Sequence, residues 1–133
     1  MPEYAKLMGP TPAPPCPFCE IIHGRAPGDI VERWPDTIAL RPLNPVVDGH
    51  LLVIPKGHAD SALSDPAVTS LVMHRAAELG RLYGCDLNLI TSVGPAATQT
   101  VRHFHVHLVP RFEGDGLALP WTPKQAKAVT VDA

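Results

Sequence analysis

The sequence predicts an antiparallel α+β fold with one long helix and a short N-terminal helix. Two features carry this. Short β-rich segments cluster in runs and do not alternate regularly with helical ones. A single well-capped helical pattern stands among them, from Pro66 to Tyr83.

Phe18 to His23 forms a short helix that stops at Gly24, with Ile21 and Ile22 turned inward. Gly28 to Arg33 and Thr37 to Leu40 read as strands, joined by a turn at Trp34-Pro35-Asp36. Arg41-Pro42-Leu43-Asn44-Pro45 is a rigid loop, and Leu51 to Ile54 is a buried strand stopped by Pro55. Asp65 is the N-cap of the long helix and Pro66 its first residue. Val68, Leu71, Val72, Leu79 and Leu82 fall mostly on one helical face. Leu87 to Val93 is the next strand, and Gln99 to Pro110 the last and strongest. The organisation is a Pro-rich arm over 1–15, one domain over 16–121 and a tail over 122–133.

Composition narrows the function classes. The chain has 133 residues, 45% of them apolar and 18% charged, with a net charge of -2. That is the make-up of one globular domain, not of a disordered chain or a coiled coil. No apolar run reaches the roughly 20 residues of a membrane span. A near-neutral balance argues against a nucleic-acid partner. Three cysteines, two of them close together, do not make a disulfide framework. With no apolar leader after Lys6, the expected location is the reducing cytoplasm.

The chemistry concentrates in His103-Phe104-His105-Val106-His107. On a strand, the three histidines share one face while Phe104, Val106 and Leu108 turn into the core. Such a strand sets His103 and His107 roughly 13 Å apart at the backbone. All three cannot comfortably ligate one ion at about 2.0–2.1 Å, so the run divides its roles. An imidazole titrating near pH 6.5 is a good nucleophile at neutral pH. Attack on phosphorus gives a phospho-histidine and splits one hard step into two. His105 has an imidazole on each side and is the best-placed nucleophile. Three unrelated surface histidines, or a metal-dependent oxygenase or hydrolase using two of them, are the competing readings.

The segment Gln99-Thr100-Val101-Arg102-His103-Phe104-His105-Val106-His107-Leu108-Val109-Pro110-Arg111 closely resembles the signature of the histidine triad (HIT) family of nucleotide hydrolases and transferases. Cys16 to Ile22 and Asn44 to Lys56 extend the resemblance. It implies a HIT-like homodimer that binds a purine nucleotide, without a membrane or nucleic-acid partner. It further implies that His105 attacks the α-phosphorus, His107 assists the leaving group, and His50 lies beside the triad. A structural His50 is an equal alternative. Gln99, Thr100 and Ser92 would seat the phosphate. Phe18, Ile21, Ile22 and Leu43 match the apolar base pocket, and would look the same as core residues. The implied activity is cleavage of a nucleoside 5′-monophosphoryl bond in a phosphoramidate, dinucleoside polyphosphate or acyl-nucleotide. A non-enzymatic or weakly active nucleotide-binding dimer is the alternative.

Cys16-x-x-Cys19 has a common zinc spacing. A redox pair or free thiols remain open for these two residues. Bacterial HIT proteins similar to this chain bind structural Zn2+ through two cysteines and two histidines, which here would be Cys16, Cys19, His58 and His103. Three positions depart from the pattern. Pro42 stands where many members hold the ribose with Asp, Ser92 where Asn or Gln helps seat the phosphate, and Thr98 where Gly is frequent.

Overall fold

The computed structural model describes residues 16–122. The Pro-rich arm and residues 123–133 of the tail lie outside the described residues. The elements in chain order are α1 (Pro17–Ile22), β1 (Asp29–Arg33), β2 (Thr37–Arg41), β3 (Leu51–Pro55), α2 (Pro66–Gly80), β4 (Asp86–Ile90), a 3-10 turn (Pro95–Ala97) and β5 (Val106–Arg111). The strands form one antiparallel sheet in the order β1-β2-β3-β5-β4. The expected α+β class is the observed one.

Register explains how the sheet buries both faces. Ala39 pairs with Val53 and Val53 with Val106, and Leu51 pairs with Leu108. Cross-strand partners share a face, and these residues meet Val72 and Ala76 of α2 and Phe104 in one buried cluster. Ile38 pairs with Ile54 and Leu40 with Leu52. That opposite face packs against Phe18, with Ile21 and Ile22 partly buried beside it. Leu52 also pairs with His107, so His107 belongs to the α1 side of the sheet.

Both helices start as their sequences demand. The Asp65 carboxylate accepts from the Ala67 N–H at 3.0 Å. The Cys16 Sγ, at the N-cap of α1, accepts from the Cys19 N–H at 3.4 Å. Helix α2 ends at Gly80 and not Tyr83, because the chain tightens into successive three-residue turns: Leu82 N–H donates to Leu79 and Tyr83 N–H to Gly80. Leu82 thereby leaves the apolar face and is 81% exposed. The Tyr83 hydroxyl donates to the Gly49 carbonyl at 2.6 Å. Gly49 has a φ of 88°, which suits a residue without Cβ, and it delivers the chain into His50.

The last strand is shorter than the sequence predicts. Residues 99–105 are irregular, and the ladder begins at Val106. The cause lies in the neighbours. Strand β3 pairs no further than Val53↔Val106, and β4 no further than Ile90↔His107. Pro55 has no N–H to extend the ladder, although β3 runs through it. Strand β4 likewise ends at Ile90, short of Val93. The irregular stretch is held by other bonds: Phe104 N–H donates to the Ala59 carbonyl at 2.7 Å, and the Thr91 hydroxyl to the His105 carbonyl at 2.8 Å.

Arg111 is a structural clamp. Its guanidinium binds both Asp115 oxygens, Asn88 Oδ1 and the Leu117 carbonyl. Charge-assisted bonds of this forked kind hold the loop after β5 to the sheet.

Phe104 is 1% exposed and anchors the α2 side of the core. Phe104→Ala is expected to cost about 3–5 kcal/mol of stability in urea denaturation. A loss below about 1 kcal/mol, the range of mild core substitutions, would show that this ring does not carry that face.

Candidate active site and metal centre

The three triad histidines sit in three different settings. His103 is fully buried, His105 is 7% exposed, and His107 is half-buried at the start of β5. Only His107 lies on a regular strand, so the expected alternation of all three along β5 is corrected: His103 and His105 are placed by loop bonds. His103 stands in a cluster with Cys16, Cys19 and His58, and His105 lies outside that cluster.

Each imidazole has at least one nitrogen committed. His103 Nε2–H donates to the Pro55 carbonyl at 2.9 Å. Its Nδ1 lone pair then faces Cys16 Sγ at 3.4 Å and Cys19 Sγ at 3.5 Å. His105 Nδ1–H donates to the His103 carbonyl at 2.7 Å. That leaves Nε2 as the nitrogen with a free lone pair, and among the described residues nothing bonds it. His50 Nδ1 accepts from the Val46 N–H at 3.1 Å, so its Nε2–H donates to His107 Nδ1 at 2.9 Å. His107 is thereby left with a proton on Nε2. A ring nitrogen with a free lone pair and a ring N–H stand side by side, with the His105 and His107 rings 5.1 Å apart.

Phe18 seals the other flank. Its ring meets the edges of His105 at 5.3 Å and His103 at 5.7 Å. Burial, reinforced by the His105 and His50 neighbours, pushes His107 down to about 4. Burial lowers His50 as well. Both therefore stay neutral at pH 7, which the hydrogen-bond chain requires.

The residues implied for the nucleotide divide. Phe18, Ile21 and Ile22 come together, whereas Leu43 is 98% exposed and stands apart from that cluster. Thr100 is exposed and Ser92 half-buried. Gln99 is buried and its amide is engaged at both ends: Oε1 accepts from the Gly94 N–H, and Nε2 donates to the Asp60 and Val101 carbonyls. It braces the loop. Thr98, at a position where the resemblance suggests Gly, adopts a φ of 70°. His23 and His74 are exposed, and His74 faces Glu78.

Cys16, Cys19, His58 and His103 place their ligand atoms within 4.8 Å of one another, close enough to hold one metal ion. Cys19 Sγ lies 3.3 Å from His58 Nδ1. A tetrahedron with about 2.3 Å to sulfur and about 2.0–2.1 Å to nitrogen has a sulfur–nitrogen edge of about 3.5 Å. The observed separations of 3.3, 3.4 and 3.5 Å match that edge. Both histidines also bind outward through Nε2, His103 to Pro55 and His58 to Asp60 Oδ1 at 2.9 Å. That is how metal-ligating imidazoles are oriented. Burial and the adjacent Cys16 push the Cys19 thiol up to about 11; a cation in the cluster would favour the thiolates. The residues fit a metal.

Sequence reasoning missed Asp60, whose signal was its place two residues after His58. It also missed Val46, Pro55 and Ala59, which act through backbone atoms and leave no residue-type signal.

The lowered His107 value fixes the direction of an acid response. Its folded-state pKa lies below the unfolded value, so the native protein binds fewer protons. This stability is complete above about pH 6.5 and is lost as pH falls toward about 4. The urea midpoint of the parent is expected to decline between pH 7 and pH 5, and His107→Gln to flatten the decline. A His107 ring signal that titrates near 6.5 by NMR would contradict the assignment.

A family profile described as the HIT domain matches residues 23–114. An uncharacterized HIT-like protein of Methanocaldococcus jannaschii is 34% identical over 106 residues, covering 76% of this chain and 82% of that protein. The adenylylsulfatase HINT3 of Arabidopsis thaliana is 36% identical over 110 residues, 77% of this chain and 55% of that protein. The crystal structure of a hypothetical histidine triad nucleotide-binding protein from Sulfolobus tokodaii superposes with a TM-score of 0.69 at 32% identity, covering 74% of this chain and 70% of that one. With the triad, the sheet order and these likenesses in agreement, the chain belongs to the histidine triad (HIT) family.

Proposed function

We propose that the protein is a nucleotide hydrolase that cleaves a nucleoside 5′-monophosphoryl bond through a nucleotidyl-His105 intermediate. The observation that carries this reading is the bond from His105 Nδ1–H to the His103 carbonyl, which leaves the Nε2 lone pair free beside His107. In the first step His105 Nε2 attacks the α-phosphorus. The P–N bond forms as the bond to the leaving group breaks, and the leaving group, held by the His107 Nε2–H, takes a proton from water. In the second step the hydroxide left by that water adds to phosphorus and releases the nucleoside monophosphate from His105, whose Nε2 regains its lone pair. His50 keeps His107 in the tautomer that presents Nε2–H.

The names of the two relatives, an adenylylsulfatase and a nucleotide-binding protein, agree with a purine nucleotide substrate. Phe18, Ile21 and Ile22 would receive the base, and Leu43 would close over it when a ligand or a second protomer covers that loop. The Gly94–Thr100 turn and Ser92 would seat the phosphate. The leaving group is an amine, a nucleotide or an acyl or sulfuryl oxygen. The assembly is a homodimer acting in the cytoplasm.

The metal is Zn2+, chosen by two thiolates and two imidazoles, and its role is structural. It would tie α1 to the segment that carries His105. Cys16, Cys19, His58 and His103 would hold it, and no proton or phosphoryl group passes through it.

His105→Ala should abolish turnover of adenosine 5′-phosphoramidate while AMP affinity stays within about tenfold, or roughly 1.4 kcal/mol. Full activity in that variant, or an adduct trapped by mass spectrometry on another side chain, would end the proposal; equally negligible rates in the parent would favour a binding protein. Cys19→Ser should lose bound metal and lower the Tm. A metal-free, equally stable parent by elemental analysis would refute the zinc assignment.

A further inference from the structure

Contacts radiate from the tripeptide His58-Ala59-Asp60 to the Cys-His cluster, to the segment between His103 and His105, and to the loop over residues 94–99. His58 offers Nδ1 to the Cys-His cluster. The Ala59 carbonyl accepts from the N–H of Phe104, the residue between His103 and His105. Asp60 acts twice. Its carboxylate accepts from His58 Nε2–H at 2.9 Å, and its carbonyl accepts from Gln99 Nε2 at 2.6 Å. Buried Gln99 passes the connection on, because its Oε1 accepts from the Gly94 N–H at 2.9 Å. Gly94 opens the turn at Pro95–Ala97.

We propose that Asp60 is a positioning residue that couples metal occupancy to the loop over residues 94–99, by orienting His58 with its carboxylate and anchoring Gln99 with its carbonyl. The His58 side chain is 42% exposed on a loop, so packing alone does not set its ring. The Asp60 carboxylate supplies the missing constraint, as carboxylates do for metal-bound imidazoles. An ion bound at His58 holds residue 58, and with it the carbonyl two residues later that Gln99 grips. The other contact of the carboxylate, Arg102 Nη2 at 3.7 Å, is an exposed pair that contributes little. Coupling between two places is reciprocal. Releasing Gln99 must therefore weaken the metal, although Gln99 touches no ligand atom.

This inference concerns the metal and the loop, and it stands whether or not the nucleotide reading does. Competition between the full-length protein and a chromophoric chelator for Zn2+ tests it. Asp60→Asn should weaken Zn2+ by about 10–100-fold, and Gln99→Ala by about fivefold. Arg102→Ala should stay within about twofold, as expected of an exposed pair. Parental Zn2+ affinity in either Asp60→Asn or Gln99→Ala overturns the proposal, and so does a loss in Arg102→Ala equal to that in Asp60→Asn. Amide exchange on the parent needs no variant: Gly94 should lose protection when Zn2+ is stripped. Unchanged protection, or a parent that binds no Zn2+, also overturns it.

Discussion

The site depends on how one buried imidazole is satisfied. His103 has no exposed surface, and a polar ring removed from water must find partners for both nitrogens. Its Nε2 finds the Pro55 carbonyl at the end of β3, and its Nδ1 finds two sulfurs at the start of α1. Its own carbonyl then orients His105. Three elements distant in sequence are thus joined through one residue, and the tautomer of the adjacent imidazole follows from the backbone that this residue fixes.

The ending of the sheet makes this possible. Had β5 continued through residues 99–105, the His103 and Phe104 backbone groups would be spent on ladder bonds. Because β3 has Pro55 at its end and β4 stops at Ile90, those groups are free to serve the site. Phe104 N–H goes to Ala59, and the His103 carbonyl to His105. The core does not suffer, since Phe104 still reaches the α2 cluster while the histidines face α1. The break in regular structure is where the triad imidazoles and the two cysteines are brought together.

Much of this was legible in residue types. Asp65-Pro66 marked the start of α2, the apolar run Leu51–Ile54 marked a buried strand, and alternation through Val106–Leu108 marked a strand with one face in the core. The grouping of Cys16, Cys19, His58 and His103 came from resemblance and ligand chemistry. What escaped detection depends on partners remote in sequence. The start of β5 depends on where β3 and β4 stop, so the apolar-polar pattern over 99–105 read as strand. Leu82 read as helical because the apolar spacing runs on past Gly80, where backbone bonds tighten the chain into three-residue turns. Gln99 read as a phosphate contact because residue type does not reveal that three backbone groups already claim its amide.

Four imidazoles of one intrinsic chemistry thus perform different tasks, and the difference comes from backbone atoms. His103 gives its outer proton to Pro55 and points a lone pair at sulfur. His105 gives its inner proton to His103 and keeps the outer lone pair. His50 accepts from Val46 and therefore protonates the outer nitrogen, which sets His107 in turn. None of these donors or acceptors is a charged side chain, so the arrangement requires neutral rings. Burial supplies that condition for His50 and His107 by holding their pKa values down. Packing and proton placement are consequently one constraint: opening the α1 face to water would let these rings charge, and a charged His50 could no longer accept from Val46.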